Sequence, residues 1–172
     1  NSIDGCTAKI RTVPDVFPET VSKKSEVPES GSLFATLEDL ASCSGLAIGS
    51  PTRFGNMAAP LKYFFDTATT AWMKGSLENK PACVFTSSGS IHGGNESTLL
   101  SMQLPLFHLG MMIIGIPYSV TSLAQTTSGG TPYGASHVGG EKNDNPITGD
   151  EKKICIAQGV RLAEIAKKLY AK

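Results

Sequence analysis

The chain has 172 residues, with 15 Lys+Arg against 15 Asp+Glu, 40% apolar and 17% charged. This length suits one compact domain. An extended basic tract for nucleic acid is missing, as is an apolar run near the ~20 residues of a membrane span; the longest run, at 111–116, contains Gly115. Zero net charge also argues against a carrier that docks on partners through a large single-sign field.

In chain order, Ala8-Lys9-Ile10-Arg11-Thr12-Val13 alternates and predicts an edge strand. Positions 14–32, with Pro14, Pro18 and Pro28 among Lys, Glu and Ser, predict a solvated excursion, and 33–40 a short helix. Leu46-Ala47-Ile48-Gly49 predicts a buried strand that runs through a polar loop into a helix carrying Leu61, Phe64 and Phe65. Ala82-Cys83-Val84-Phe85 predicts a second, entering a Ser/Gly loop before a helix with Asn95 as its N-cap, bent at Pro105 and stopped by Gly110. A third strand is predicted over 111–116 and a long excursion over 117–150, of the kind that serves function or subunit contact. The chain closes with an amphipathic helix over 151–169, where Ile154, Ala157, Val160, Leu162, Ile165 and Leu169 share one face. Continuous apolar strands alternating with helices mean a parallel sheet covered on both sides.

Such an open sheet needs a central strand at which the order reverses. No apolar strand precedes the expected edge strand, although one would contribute on the order of 10 kcal/mol of burial. The expectation is therefore a single domain over 1–172 whose first βα unit, with its phosphate loop, is not written in this sequence. Cys6, Cys43, Cys83 and Cys155 are far apart and form no C-x-x-C pair, which predicts reduced, mostly buried thiols in a cytoplasmic protein. Three scattered histidines without a carboxylate cluster offer no metal site.

In an open α/β sheet the ligand sits beyond the carboxyl ends of the strands. Two loops leave strands there. Pro51-Thr52-Arg53-Phe54-Gly55-Asn56 supplies a hydroxyl, a guanidinium, an aromatic ring, flexible backbone and an amide. Thr86-Ser87-Ser88-Gly89-Ser90-Ile91-His92-Gly93-Gly94 supplies four hydroxyls interleaved with glycines whose N–H groups can approach a ligand closely. The pair suits a flat heteroaromatic ring with a polyol tail.

Gly49-Ser50-Pro51-Thr52-Arg53-Phe54-Gly55-Asn56-Met57, the Ser/Gly loop ending in Gly93-Gly94-Asn95-Glu96, and Gly129-Gly130-Thr131-Pro132-Tyr133-Gly134-Ala135 resemble the WrbA family over nearly the whole chain. These are flavodoxin-like, tetrameric NAD(P)H:quinone oxidoreductases that bind FMN near subunit contacts. The resemblance implies an open parallel sheet of order 2-1-3-4-5, with Thr52, Arg53 and Phe54 on the isoalloxazine, flanked by Pro51 and Gly55. A fixed cation there stabilises the anionic reduced flavin. The resemblance further implies that Ser87, Ser88, Gly89 and Ser90 line the ring edge and ribityl chain. Ile91 and His92, which lengthen that loop by one residue relative to many members, are grouped with them.

Trp72 matches the aromatic over the substrate side of the flavin. Phe107-His108-Leu109-Gly110 keeps one histidine of the family's His-His-Gly, which makes His108 the candidate proton donor. The implied reaction is ping-pong: NAD(P)H delivers hydride to flavin N5 and leaves, and a quinone then takes both electrons. A reductase of nitro or azo compounds and a non-catalytic flavodoxin-like interaction module are the alternatives. Without a phosphate loop, these 172 residues alone are expected to bind FMN poorly.

Overall fold

The computed structural model describes residues 2–16, 28 and 30–170. Its elements are α1 (Leu37–Ser42), β1 (Leu46–Arg53), β2 (Asn56–Met57), α2 (Ala59–Asp66), α3 (Thr69–Met73), β3 (Pro81–Ser88), α4 (Asn95–His108), β4 (Met112–Ile113), α5 (Ser122–Gln125), β5 (Ala135–Val138) and α6 (Gly149–Tyr170).

The apolar strands pair as their composition demands. β1 and β3 run parallel in the register Leu46↔Ala82 to Pro51↔Ser87, so both strands deliver their carboxyl ends, and the loops that follow, to the same edge of the sheet. Helix α4 covers one face. Its Leu99, Met102 and Leu106 pack with Ile48 and Val84 in one buried cluster, worth on the order of 10 kcal/mol of apolar burial. Across the sheet Ile154 of α6 packs with Ile116, Leu123 and Ala135. Gly49 lies beneath the Phe85 ring, which occupies the space that a Cβ would need.

The third strand position is split. β4 pairs with the start of β3 (Ala82↔Ile113) and β5 with its end (Phe85↔Ala135 to Ser88↔Val138), both parallel, while residues 114–134 loop out between them. Gln158 of α6 bridges the gap: its Nε2 donates to the Val84 carbonyl and its Oε1 accepts from the Ala135 N–H, each at 3.0 Å. The 117–150 excursion expected from sequence therefore contains both a short helix and a sheet strand. β5 escapes a periodicity reading because it is only four residues long, with Ser136 and His137 in its middle.

Other expectations need correction. Residues 8–13 form no strand; Thr12 makes one isolated bridge to Phe34, and Ile10 is exposed. The first half of the expected 2-1-3-4-5 order is thus not seen among the described residues, whereas the succession of β1, β3 and the split β4/β5 matches its second half. On the side away from β3, β1 pairs among the described residues only through Thr52 and Arg53, with β2. The rest of that edge faces a groove of about 1580 Å³ between 8–13 and α6, lined by Ala47, Ile48, Gly49, Val160 and Ala163.

The helix expected over 33–40 is Leu37–Ser42, started by a capping box in which Thr36 Oγ1 accepts from the Asp39 N–H and Asp39 Oδ2 accepts from the Thr36 N–H. Asn95 is not the N-cap of α4. Gly94 takes that position at φ +92°, and Asn95 is buried. Leu169 of the expected apolar face of α6 is half exposed. Of the cysteines only Cys83 is buried, and its thiol is pushed up to about 12, by desolvation first and by Cys155 second. The expected excursion at 14–32 falls largely outside the described residues.

Candidate active site

Arg53 and Asn56 close the β1–β2 hairpin through the two-residue turn Phe54-Gly55. Both turn residues have positive φ, +53° and +76°, the backbone that a tight right-twisted hairpin requires. Glycine adopts it freely, but a phenylalanine there is strained by on the order of 1 kcal/mol. The strained ring is also fully exposed among the described residues. Behind it, Arg53 folds its guanidinium back so that Nη1 donates to the Thr52 carbonyl at 2.9 Å, and the rest of the fork has no partner among the described residues.

Beside the hairpin stands the loop that follows β3. Ser88 Oγ donates to the Ser90 carbonyl at 2.7 Å, the Gly93 N–H to the same carbonyl at 3.1 Å, and Asn95 Nδ2 to the Ile91 carbonyl at 3.0 Å. The Gly139 N–H, just past β5, holds the Ser88 carbonyl at 2.8 Å. These bonds occupy the carbonyls of Ser88, Ser90 and Ile91. The N–H groups of Gly89, Ser90, Ile91 and His92 have no partner among the described residues. Asn95 Oδ1, buried under the loop, is likewise unpartnered. The loop therefore presents a surplus of donors at the carboxyl edge of the sheet, next to an exposed aromatic and a guanidinium.

The remaining two expected residues lie elsewhere. His108 ends α4, the helix whose first residue, Asn95, adjoins the Ser/Gly loop. Fourteen residues at ~1.5 Å rise put about 20 Å between the two ends. Trp72 joins His108 in a cavity of about 410 Å³, with Phe65, Thr69, Leu104 and Pro105 in its walls. One chain thus brings Pro51 to Gly55 and Ser87 to His92 together, and sets Trp72 and His108 together apart from them.

Comparison with known proteins accords with this geometry. A family profile described as NADPH-dependent FMN reductase matches residues 3–126. The chain belongs to that family. It is 38% identical over 175 residues to an NAD(P)H dehydrogenase (quinone) of Syntrophobacter fumaroxidans, and 38% identical over 172 residues to one of Acidithiobacillus ferrooxidans, in each case over 98% of this chain and 86% of the relative. The crystal structure of the flavodoxin, WrbA-like protein from Agrobacterium tumefaciens superposes with a TM-score of 0.56 at 20% identity, over 83% of this chain and 78% of that one. The fold is flavodoxin-like, and the chain is an oxidoreductase of the FMN reductase family; the interaction-module alternative gives way to an enzyme. No helix among the described residues is long and apolar enough to cross a membrane.

Beyond the expected residues, a buried carboxylate organises the flank of the site. Glu151 Oε1 accepts from Ser128 Oγ (2.9 Å), the Gly129 N–H (2.9 Å) and the Val138 N–H (3.0 Å). Its Oε2 accepts from the Thr148 N–H at 2.8 Å and lies 3.0 Å from His137 Nδ1. Burial acts to raise its pKa, but the Thr148 N–H, His137, and the Val138 and Gly129 N–H groups together outweigh it and hold the carboxyl at about 2. The Glu151 N–H donates in return to Thr148 Oγ1. Thr148-Gly149-Asp150-Glu151 is thus a capping box at the start of α6, a sequence signal that also gives His137 its role.

Proposed function

We propose that the chain acts as an FMN-dependent NAD(P)H:quinone oxidoreductase whose cofactor ring lies between the Phe54 hairpin and the Ser87–His92 loop. The observation that carries this reading is the Phe54 ring, held at positive φ and fully exposed. A fold that tolerates strain and an unpacked aromatic at one point retains them where a flat ligand covers the ring. The donor set fits FMN at its ring and ribityl end: the N–H groups of Gly89 to His92, without partners among the described residues, would meet its acceptors, and Arg53 supplies the cation.

FMN held between these loops would supply two-electron redox chemistry linking NAD(P)H oxidation to quinone reduction in two half-reactions. The protein's own part is positional. Phe54 and Pro51 wall the ring and exclude water, while Ser87 and Ser90 bracket its polar side, Ser88 holds that loop in shape through the Ser90 carbonyl, Thr52 stands at the strand end and Gly55 keeps the turn tight. Arg53 offsets the negative charge that develops on reduction. No side chain acts as a nucleophile.

His108 and Trp72 are about one helix length from these loops and serve the site of a neighbouring copy. Leu100, Leu104 and Phe107 on one side of α4, with Tyr63, Trp72 and Met73, form an exposed apolar face against which further copies pack into a homotetramer. His108 then delivers the quinone's proton across the subunit contact. Four unpaired thiols suit the reducing cytoplasm.

The test is an FMN titration followed by flavin fluorescence, then NADPH oxidation with and without a benzoquinone. Saturable FMN binding with quinone-dependent NADPH consumption supports the assignment. NADPH consumption that passes to a nitroarene but not to a quinone would reassign the substrate. Because weak binding is expected without a phosphate loop, the titration is carried to saturating cofactor, and the absence of any saturable FMN binding there would remove the proposal.

A further inference from the structure

Two ligand loops that must hold one ring between them need a fixed mutual position, and a contact that fixes it here runs from the first loop to the helix that follows the second. Thr52, near the end of β1, and Thr98, in the first turn of α4, place their hydroxyl oxygens 2.7 Å apart. Thr98 is fully buried, and its own N–H donates to the carbonyl of Gly94, the last residue of the Ser/Gly loop. The backbone beside this pair is packed to contact. A Cβ on Gly94 would come within 2.9 Å of Gly55 Cα, and one on Gly55 within 2.9 Å of Ser97 Oγ. Both glycines have positive φ, so neither position accepts a larger residue without strain as well as collision. The same Thr52 carries the carbonyl that receives Arg53 Nη1.

We infer that Thr98 is a positioning residue for the cofactor ring: through the Thr52 hydroxyl it docks the Arg53-Phe54 hairpin on α4, and so sets the guanidinium and the phenyl ring relative to the donors of Gly89 to His92. Thr98 touches neither loop's ligand face. It acts through Thr52, and two side-chain oxygens replace the longer backbone ladder that a two-residue β2 cannot provide. The inference rests on the cofactor reading above for its functional consequence, though not for its geometry.

The test uses the full chain and the variants Thr98→Val, which keeps the shape and removes the hydroxyl, Thr98→Ser, which keeps the hydroxyl, Thr52→Val, and the double Thr52→Val/Thr98→Val. Amide hydrogen exchange without FMN reads the docking itself. In Thr98→Val, exchange at 53–56 should accelerate about three- to tenfold, the equivalent of one net hydrogen bond, with β3 and α6 unchanged. With FMN, the dissociation constant should rise by the same factor and the flavin's two-electron potential should fall. Thr98→Ser should restore all three quantities, and the double variant should be no worse than Thr52→Val. Thr98→Val with a lowered Tm but wild-type exchange at 53–56 and a wild-type potential would overturn the inference, leaving Thr98 a packing residue. A wild type that binds no FMN would defeat the cofactor reading alone, since the exchange result still decides whether Thr98 docks the hairpin.

Discussion

The Gln158 side chain donates to the carbonyl of Val84 across 74 residues of sequence, at the point of β3 that falls between its pairings with β4 and β5. With its other end on the Ala135 N–H, this one amide supplies the hydrogen bonds that the split of β4 from β5 removes. All three groups are buried. Gln158→Leu leaves a donor and an acceptor unpaired in the core and should lower stability by about 2–4 kcal/mol, given ~1–3 kcal/mol for each stranded group. Urea unfolding should show an earlier midpoint at unchanged slope; an unchanged midpoint would mean that the two backbone groups find other partners.

Glu151 links stability to acid. Its carboxyl is held at about 2 in the fold against 4.5 when free. A depressed carboxylate pKa stabilises the folded state fully above pH ~4.5, and that contribution is lost as the pH falls toward 2. The full span is about 3 kcal/mol. Stability measured from pH 7 to pH 2 should fall through this window in the wild type. Glu151→Gln should be less stable at pH 7 by a similar amount and should converge on the wild type near pH 2.

Strain at Phe54 predicts a trade between stability and ligand affinity. Phe54→Asn places a residue that tolerates positive φ in the turn and removes an exposed apolar ring, so the fold should gain on the order of 1 kcal/mol. FMN affinity should fall at least tenfold. Thermal denaturation and fluorescence titration of one preparation read both, and a variant that loses stability would show that the ring packs on its own chain.

Arg53 has a guanidinium fork that is only partly engaged, by the Thr52 carbonyl. Arg53→Leu should lower the flavin's potential and cut kcat/KM with quinone ~10- to 100-fold, with Arg53→Lys recovering part of the loss because charge returns without the planar fork. Equal potentials in all three proteins would remove Arg53 from the ring's surroundings.

The apolar face of α4 predicts association. Leu104→Glu puts a charge beside Trp72 and His108, both lining the same cavity. Sedimentation should show the wild type as a tetramer and the variant as smaller species. Quinone reduction should fall at least tenfold in the variant, because His108 and Trp72 no longer reach the loops of a neighbour. A fully active monomer would refute that arrangement.

What was legible in the sequence follows from the range of each interaction. The runs at 46–49 and 82–85 are apolar on every residue, and they fold as the adjacent parallel strands β1 and β3. Their two polar loops meet at one edge because parallel strands must deliver their carboxyl ends together. By contrast, 8–13 has the alternation of an edge strand but makes a β-bridge only at Thr12 among the described residues, since alternation describes a face and does not supply a neighbouring strand. β5 was hidden because four residues carry no period. Thr98 and Gln158 were hidden because a buried hydroxyl or amide announces itself only through partners 46 and 74 residues away. Glu151 could have been found, since its capping box is local.

The split strand bears on how this fold tolerates change in length. Ile113 stands opposite Ala82 and Ala135 opposite Phe85, so the chain leaves the sheet and re-enters it only three rungs further along. The path length of 114–134 is therefore decoupled from the sheet: both anchor points are set by β3, and the span between them is short whatever lies outside. Within this excursion Ile116, Leu123 and Gly129 are held against α6, whereas Tyr118 is exposed. The turn at Tyr118 is thus a built-in port, at which length can change and a new surface can be grafted while the sheet stays in place.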